Sequence, residues 1–185
     1  MKGETDLLRN DQPHLRQGYY MTHLIADEAV EWINIQKADR PFFLYVPFTA
    51  PHDPFQGPDD YSPVKMEASV WNEGSRSDYV AMVEELDKGV AAILDKLEEK
   101  GFSKNTVVIF TSDNGPTKKG SAGNLSGNKG HVFEGGIRVP CIVRWPGNIS
   151  AGRRSEQVDI TMDLTASIAA IVNAQTSTPL DGIDI

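Results

Sequence analysis

The sequence has a single cysteine, Cys141, among its 185 residues. One thiol cannot form an intrachain disulfide, and it cannot supply a zinc site built from several cysteines. No apolar run reaches the roughly 18 residues that a membrane-spanning helix needs. The first ten residues, MKGETDLLRN, also lack the apolar stretch of a signal peptide. We therefore expect a chain without disulfides and without a membrane as partner.

Basic residues are also fewer than acidic residues. Lys and Arg number 18 against 26 Asp and Glu, which gives a formal net charge of −8. A chain with this acidic balance is a poor candidate for binding the phosphate backbone of nucleic acid. The hydrophobic fraction of 39% is nevertheless large enough to build a folded core. We expect a globular chain whose partner is not nucleic acid.

Apolar residues recur at helical spacing in three stretches and form short continuous runs in three others. The predicted helices cover residues 22 to about 37, 78 to about 100 and 161 to about 173, and the predicted buried strands cover 41–48, 106–111 and 139–145. This alternation predicts an α/β fold with a largely parallel sheet flanked by helices. Residues 1–17 give no periodic signal, and residues 49–76 are predicted to form a proline-rich loop.

Single residues refine these predictions. Thr22 is expected to cap the first helix, and Gly101 is expected to end the second. Cys141 is expected to be buried in the third strand, and Gly135 with Gly136 is expected to form a turn with positive φ. The second helix is expected to bury one apolar face, which consists of Val80, Val83, Leu86, Val90, Ile93, Leu94 and Leu97.

Polar side chains follow the first two predicted strands, at the end of an open α/β sheet where ligands bind. Asp113 and Asn114 follow the second strand and offer the hard oxygen donors that Ca²⁺ and Mg²⁺ prefer, although such a pair also forms ordinary Asx turns. His52 follows the first strand and lies between Pro51 and Pro54. A histidine in a loop of fixed shape suits a general acid or an anion donor, and an ordinary surface histidine is the alternative.

A lysine in a glycine-rich stretch completes the set of candidate residues. Lys129 is close to Gly127 and Gly130, which allow the backbone to approach a ligand, so the lysine is either an anion contact or a solvated loop residue. It is not part of a P-loop, because Asn128 stands where that motif requires glycine. Residues 113–154 hold seven basic and two acidic residues, which suits a small anionic ligand or, alternatively, a solvated basic face.

Taken in order, four short segments of this sequence resemble the sulfatase family within the alkaline phosphatase superfamily. They are APHDPF at residues 50–55, FTSDNG at 110–115, KG at 129–130 and FEGGIRVP at 133–140. RWPG at residues 144–147 and LDG at 180–182 are similar to the same family. The match extends from about residue 19 to the end of the chain.

The resemblance implies an alkaline phosphatase-like fold and a hydrolase of sulfate esters. Such enzymes use one divalent metal, usually Ca²⁺, and a formylglycine nucleophile made from Cys or Ser. Position by position, the resemblance implies that Asp113 and Asn114 are metal ligands and that His52 and Lys129 contact the sulfate, with His52 also a proton donor. The implied partner is a small anionic sulfate ester, on a sulfated carbohydrate or an aryl compound, and the implied location is periplasmic or secreted.

Other features of the family are absent from the chain. The motif that yields formylglycine, C/S-x-P/A-x-R, does not occur, since Ile142, Val143 and Arg144 follow Cys141. The paired aspartates that complete the metal site are also absent, as are the Lys and His that follow the nucleophile. The resemblance therefore implies that residues 1–185 are the C-terminal portion of a sulfatase catalytic domain, incomplete in its fold and inactive by itself. His131 has no assigned role.

Two other interpretations stay open at this point. A phosphonate or phosphate ester hydrolase of the same superfamily would share much of the metal and anion layout. A non-catalytic scaffold domain would keep the fold and lose the chemistry.

Overall fold

The computed structural model describes residues 7–14, 18–60 and 74–185. Its elements in chain order are strands β1 (Leu8–Arg9) and β2 (Gln12–Pro13), helices α1 (Met21–Asn34) and α2 (Arg76–Glu99), strand β3 (Val108–Thr111), helix α3 (Glu134–Ile137), strand β4 (Cys141–Arg144) and helix α4 (Thr161–Ile171). The chain divides into two compact units, Met1–Asn148 and Ile149–Ile185. Among the described helices, none has the length and apolarity to cross a membrane. Parts of the predicted 1–17 segment and 49–76 loop lie outside the described residues.

The second predicted helix is confirmed, and both of its ends are set by local hydrogen bonds. Ser75 and Asp78 form a capping box at the start of α2, where each side chain accepts from the other residue's amide. At the far end Gly101 takes a φ of +71°, as predicted, and the amide of Phe102 donates to the carbonyl of Leu97 at 2.8 Å. This is a Schellman ending, in which a glycine with positive φ turns the chain back onto the last helical turn.

The first helix is also confirmed, but its predicted cap is wrong. Helix α1 begins at Met21, so Thr22 lies inside the first turn, where its side chain is buried. The N-cap position belongs to Tyr20, whose side chain makes no capping bond. The Tyr20 hydroxyl instead donates to the carbonyl of Gln56 at 3.1 Å. A tertiary contact therefore fixes the entry to this helix.

Helices α1 and α2 pack against each other around a small core. Ile33, Leu97 and Phe102 are its buried centre, and the ring of Phe42 meets the ring of Trp32 edge-on at 5.5 Å. The two helices approach closely because both contribute small residues to the crossing. A Cβ added at Gly89 would lie 3.2 Å from the Cβ of Ala26, which is tighter than an ordinary contact.

The face predicted for α2 is partly wrong. Val80 and Val83 are exposed, whereas the buried residues of the helix are Met82, Glu85, Gly89 and Leu97. Hydrophobic periodicity does not identify Glu85 and Gly89 as buried, because one is charged and the other has no side chain. The helix is therefore rotated relative to the predicted face, and a carboxylate lies in its contact with α1.

The side chains of a lysine and a histidine satisfy this buried carboxylate. One oxygen of Glu85 lies 2.6 Å from the Nζ of Lys88, and the other lies 2.7 Å from the Nε2 of His23 on α1. The hydrogen bond from Lys88, followed by that from His23, holds the pKa of Glu85 below its usual value. Glu85 thus links the two helices through polar contacts beside the apolar core.

The first predicted strand is wrong in its burial and its pairing. Residues 41–48 belong to no helix or strand, and no described residue forms a strand ladder with them. Their side chains alternate between exposed and half-buried, and Pro41 and Pro47 are both on the exposed side. The apolar run was predicted to be covered on both faces, whereas the described chain covers only the face of Phe42 and Leu44.

The other two predicted strands are confirmed in position, and they pair antiparallel. Val108 of β3 is opposite Arg144 of β4, and Thr111 is opposite Cys141. A parallel pair does not occur among the described residues. The side chains of β4 are largely exposed. Cys141 is exposed too, so its predicted burial is wrong, because the described chain places no cover over this strand.

A short hairpin at the start of the chain was not expected from the sequence. Strands β1 and β2 pair antiparallel across Asn10 and Asp11, which both have positive φ. This is the backbone that a two-residue hairpin turn requires. Strands of two residues are too short to give a periodic signal. Arg9 ties the hairpin to α1 by an ion pair of 2.6 Å with Glu31.

The second unit contains α4, which the sequence predicts. Asp163 in its first turn accepts from the amide of Ile160 at 3.0 Å and from the amide of Ile183 at 2.9 Å. These two amides lower the pKa of Asp163, that of Ile183 being the larger cause. Gly182 passes so close to the backbone of Met162 that any Cβ would overlap it. The tail of this unit is therefore fastened to the start of its own helix.

The Glu85 contacts give a test of the helix pairing. We expect Glu85→Gln to lower the free energy of unfolding at pH 7 by about 1 kcal/mol, because it removes the charge that Lys88 and His23 contact. The folded pKa of Glu85 is depressed, so its contribution is complete above the unfolded pKa and is lost as the pH falls through the folded pKa. The difference between the two proteins should therefore shrink below about pH 4.

Urea denaturation at pH 7 and at acidic pH measures this difference. Glu98→Gln is the matched control, since Glu98 is an exposed residue of the same helix. Equal effects of the two substitutions, or a difference that grows in acid, would contradict the role given to Glu85.

Candidate functional site

The loop that carries His52 is held against α2 by two buried residues. Ala50 and Phe55 are buried together with Met82, and the ring of Phe55 meets the ring of Tyr79 at 5.9 Å. The peptide bonds before Pro51 and Pro54 are both cis. His52 therefore stands at the tip of a loop whose two ends are anchored in the core.

His52 contacts Asp53 with Nδ1, which also lies 3.2 Å from the carboxylate oxygen Oδ1 of that residue, and it contacts Lys129 with Nε2. Nδ1 lies 2.7 Å from the carbonyl oxygen of Asp53, and Nε2 lies 2.9 Å from the Nζ of Lys129. An ammonium group can only donate, so this contact makes Nε2 the acceptor and assigns the Nδ1 proton to the Asp53 carbonyl. The His52 side chain is 54% exposed, which leaves the pair open to a ligand.

The loop that carries Lys129 is held by its own backbone. The amide of Lys129 donates to the carbonyl of Pro116 at 2.8 Å, and Gly127 and Gly130 on either side take φ values of +85° and +89°. His131, to which the sequence assigned no role, closes the same turn. Its Nδ1 accepts from the amide of Asn128 at 3.2 Å.

Close backbone contacts between glycines fix the base of this loop. The amide of Gly115 donates to the carbonyl of Gly136 at 2.8 Å. A Cβ at Gly115 would overlap the carbonyl of Gly135, and a Cβ at Gly136 would overlap the carbonyl of His131. The predicted positive φ at Gly135 and Gly136 is wrong, because both belong to the short helix α3 and not to the residues with positive φ. Glycine is required there for space.

Asp113 and Asn114 follow the end of β3 after one residue, Ser112, in the position that the sequence predicts. Asp113 is exposed, and the Nδ2 of half-buried Asn114 donates to the carbonyl of Gly115 at 2.9 Å. That bond leaves the amide oxygen of Asn114 available to a ligand. Gly115 is the next residue along the chain, so the glycine contacts also fix the backbone that carries this pair.

These residues fit a hard divalent cation in kind but not in number. A carboxylate and an amide oxygen are suitable donors, whereas Ca²⁺ takes six to eight oxygens. In the part of the chain that the structure describes, no group of three or more His, Cys, Asp or Glu side chains could hold a metal. Asp113 and Asn114 are therefore at most part of a ligand set.

The basic stretch 113–154 does not form a single binding face. Arg144 donates to the hydroxyl of Ser103 at 3.0 Å, and Lys119 donates to the carbonyl of Gly74 at 2.6 Å. Arg138 pairs with Glu134 one helical turn away. These cations make contacts within the fold. Lys129 differs from them because its ammonium group meets another candidate site residue.

The structure thus brings His52 and Lys129 together from segments 77 residues apart. The Gly115–Gly136 backbone contact joins the loop of Asp113 and Asn114 to the helix that follows the Lys129 loop. The family model described as Sulfatase matches residues 2–174. The chain belongs to the sulfatase family.

Individual relatives agree with this assignment. The chain is 38% identical over 177 residues to an arylsulfatase of Hemicentrotus pulcherrimus, covering 93% of this chain and 29% of that protein. It is 38% identical over 174 residues to the N-acetylgalactosamine-6-sulfatase of Mus musculus, covering 89% and 32%. The chain therefore spans about a third of the length of these relatives. It is a sulfatase fragment, and it resembles hydrolases of the sulfatase type.

A solved structure extends the likeness to the fold. The crystal structure of Ps i-CgsB in complex with k-i-k-neocarrahexaose superimposes with a TM-score of 0.81 at 30% identity. The superposition covers 95% of this chain and 39% of that one. The alkaline phosphatase-like fold implied by the sequence is supported at this level.

The glycine contacts give a test of how the Lys129 loop is held. We expect Gly136→Ala to lower the free energy of unfolding by about 1–3 kcal/mol, because the new Cβ must displace the His131 carbonyl. Gly57→Ala is the control, since a Cβ there meets only the Cβ of Ala81 at an ordinary 3.8 Å. Urea denaturation of both variants measures the difference. If Gly136→Ala is as stable as Gly57→Ala, the glycine contacts do not constrain the loop.

Proposed function

We propose that residues 1–185 are the C-terminal portion of a sulfatase catalytic domain, and that the complete protein hydrolyses a sulfate monoester. The contact between His52 Nε2 and Lys129 Nζ carries this proposal. It places a cation and a proton carrier within reach of one ligand atom, on two loops that are each anchored independently.

The two side chains perform different tasks in the proposed reaction. Lys129 donates to the sulfate oxygens and offsets the charge that develops on the transferring group. When a sulfate oxygen replaces His52 Nε2 as the acceptor for Lys129, Nε2 takes a proton from solvent, and it delivers that proton to the leaving oxygen of the ester. The carbonyl of Asp53 accepts from Nδ1 and so keeps the ring oriented for this transfer.

Asp113 and Asn114 supply two of the oxygen ligands for a divalent cation, Ca²⁺ or Mg²⁺. When bound, the cation polarises the sulfate oxygens. The upstream portion of the complete protein supplies the remaining ligands and the formylglycine nucleophile. We also propose that upstream strands complete a largely parallel sheet in the whole domain.

The proposed substrate class is a sulfated carbohydrate. Support comes from the N-acetylgalactosamine-6-sulfatase relatives and from the carrahexaose complex of Ps i-CgsB. An extracytoplasmic location, periplasmic or secreted, fits the same family. Lys129 supplies a positive charge that attracts a sulfated ligand.

The chain by itself should be inactive and should bind Ca²⁺ poorly. We expect no turnover of p-nitrophenyl sulfate above the buffer rate, because the nucleophile motif is absent. Calorimetric titration should give a dissociation constant for Ca²⁺ no tighter than about 1 mM, because two oxygens are too few. Asp113→Asn is the matched variant and should weaken binding further. Robust hydrolysis, or micromolar Ca²⁺ affinity that survives Asp113→Asn, would contradict the proposal.

In the complete protein, the two anion contacts should be essential. We expect His52→Ala and Lys129→Ala each to lower kcat/KM for p-nitrophenyl sulfate by about 10²–10³-fold. Lys118→Ala is the control, since Lys118 is an exposed cation of the same stretch, and it should retain activity. Steady-state assays with p-nitrophenyl sulfate and p-nitrophenyl phosphate measure both the losses and the preference. Faster hydrolysis of the phosphate ester than of the sulfate ester would refute the assignment as a sulfatase. Unchanged kcat/KM in His52→Ala and Lys129→Ala would refute the roles of these two residues.

A further inference from the structure

One side chain of α2 contacts both the His52 loop and the chain that leads to Lys129. The half-buried ring of Tyr79 meets the ring of Phe55, which anchors the His52 loop, at 5.9 Å in an edge-on arrangement. A Cβ added at Gly120 would lie 3.0 Å from the hydroxyl oxygen of Tyr79 and 3.4 Å from its Cζ. The far end of the tyrosine ring therefore rests against the backbone of Gly120.

A tight turn, residues 116–120, connects this contact to Lys129. An added Cβ at Gly120 would lie 2.5 Å from the Cβ of Pro116, so these two residues are packed against each other. The carbonyl of Pro116 accepts from the amide of Lys129 at 2.8 Å. A displacement of the Tyr79 ring is therefore transmitted to the lysine backbone through atoms in direct contact.

Polar contacts hold the turn 116–120 against the start of α2. The guanidinium group of Arg76 donates to the carbonyl of Lys119, and the Nζ of Lys119 donates to the carbonyl of Gly74 at 2.6 Å. The Cζ of Arg76 also lies 5.5 Å from the centre of the Tyr79 ring, which is within the range of a cation–π contact. The first turn of α2 therefore supports this turn as well as the His52 loop.

The 2.9 Å contact between His52 Nε2 and Lys129 Nζ depends on the spacing of the two loops. The burial of Ala50 anchors the first loop, and the glycine contacts anchor the second, but each of these anchors concerns one loop. Tyr79 adds a contact to both. A misplacement of about 1 Å can lower the rate of an enzyme roughly 100-fold, so this spacing matters for catalysis.

We propose that Tyr79 is a positioning residue of the proposed sulfatase site. It spaces the His52 loop from the turn 116–120, so that His52 Nε2 and Lys129 Nζ reach the same ligand. This inference rests on the proposed function, because it takes those two nitrogens to be the anion contacts. Tyr79 takes no part in the chemistry itself and acts through the two loops that its ring touches.

Kinetics of the complete protein separate spacing from packing. Tyr79→Leu keeps an apolar side chain against Phe55 but is too short to reach Gly120, and we expect it to lower kcat/KM for p-nitrophenyl sulfate by at least about 10-fold. Tyr79→Phe keeps the ring and should retain most of the wild-type activity. Leu86→Ala is the matched control, since Leu86 packs on the same buried cluster, and it should also retain most of the activity.

Three kinetic results would contradict the role of Tyr79. Equal losses in Tyr79→Leu and Leu86→Ala would overturn the proposal, because they would show an effect of packing alone. An equal loss in Tyr79→Phe would overturn it too, because it would assign the effect to the hydroxyl group. In a Lys129→Ala background Tyr79→Leu should cost much less, since the contact that Tyr79 positions is already gone, and an undiminished cost would count against the proposal.

Nuclear magnetic resonance tests the geometry without using catalysis. In the complete protein labelled with ¹⁵N-histidine, Lys129→Ala removes the donor to His52 Nε2 and should shift the ¹⁵N resonance of that atom. We expect Tyr79→Leu to shift it in the same direction and Leu86→Ala to leave it unchanged. A wild-type resonance in Tyr79→Leu would overturn the proposal. The expected shifts in a protein that does not hydrolyse sulfate esters would refute the proposed function alone.

Gly120→Ala tests the same contact from the other side. Its new Cβ must displace the Tyr79 hydroxyl or the Pro116 ring, so we expect a lower kcat/KM and a shifted His52 resonance with Tyr79 itself intact. Wild-type values of both quantities in Gly120→Ala would overturn the proposal even if Tyr79→Leu did not fold.

Discussion

The amide of Gly115 donates to the carbonyl of Gly136, and the two backbones are so close that a methyl group on either residue would collide with a carbonyl oxygen. This contact joins the residue after Asp113 and Asn114 to the short helix that follows the Lys129 loop. With it, the oxygen-donor pair and the lysine are parts of one backbone unit. The amide of Lys129 donates to the carbonyl of Pro116 and ties the same two segments at a second point. The lack of side chains at Gly115 and Gly136 is therefore as important for the backbone of these loops as the polar side chains that the loops carry.

The helices were predictable because their signals are local. Periodicity located α1, α2 and α4, and Gly101 marked an end that depends only on the φ of one residue. The buried face of α2 was not predictable in the same way, since Glu85 is charged and is buried only because His23 and Lys88 meet it there. The burial of the strands and the direction in which they pair were not predictable from the sequence either. An apolar run such as residues 41–48 indicates that its side chains need to be buried, but it does not indicate which segment buries them.

For the site, the sequence identified the candidate residues, and the fold supplied their relation. His52 and Lys129 were selected from separate motifs, and nothing in either motif states that the two nitrogens meet across 77 residues. Gly135 and Gly136 were predicted to have positive φ, whereas glycine is required at both positions to avoid a steric clash. A sequence cannot distinguish these two reasons for a glycine. The roles of Asp113, Asn114, His52 and Lys129 stay predictions, now with a defined geometry for two of the four.

Pro41 and Pro47 at the ends of the unpaired segment have a consequence for the solubility of the chain. An uncovered strand edge is a template on which a second molecule can add an intermolecular β-ladder. Proline has no amide hydrogen, so neither end of this segment can donate to such a ladder. The edge open to pairing is thereby limited to the few residues between them. The two prolines thus lower the tendency of the uncovered chain to aggregate, at the place where its aromatic side chains favour aggregation most.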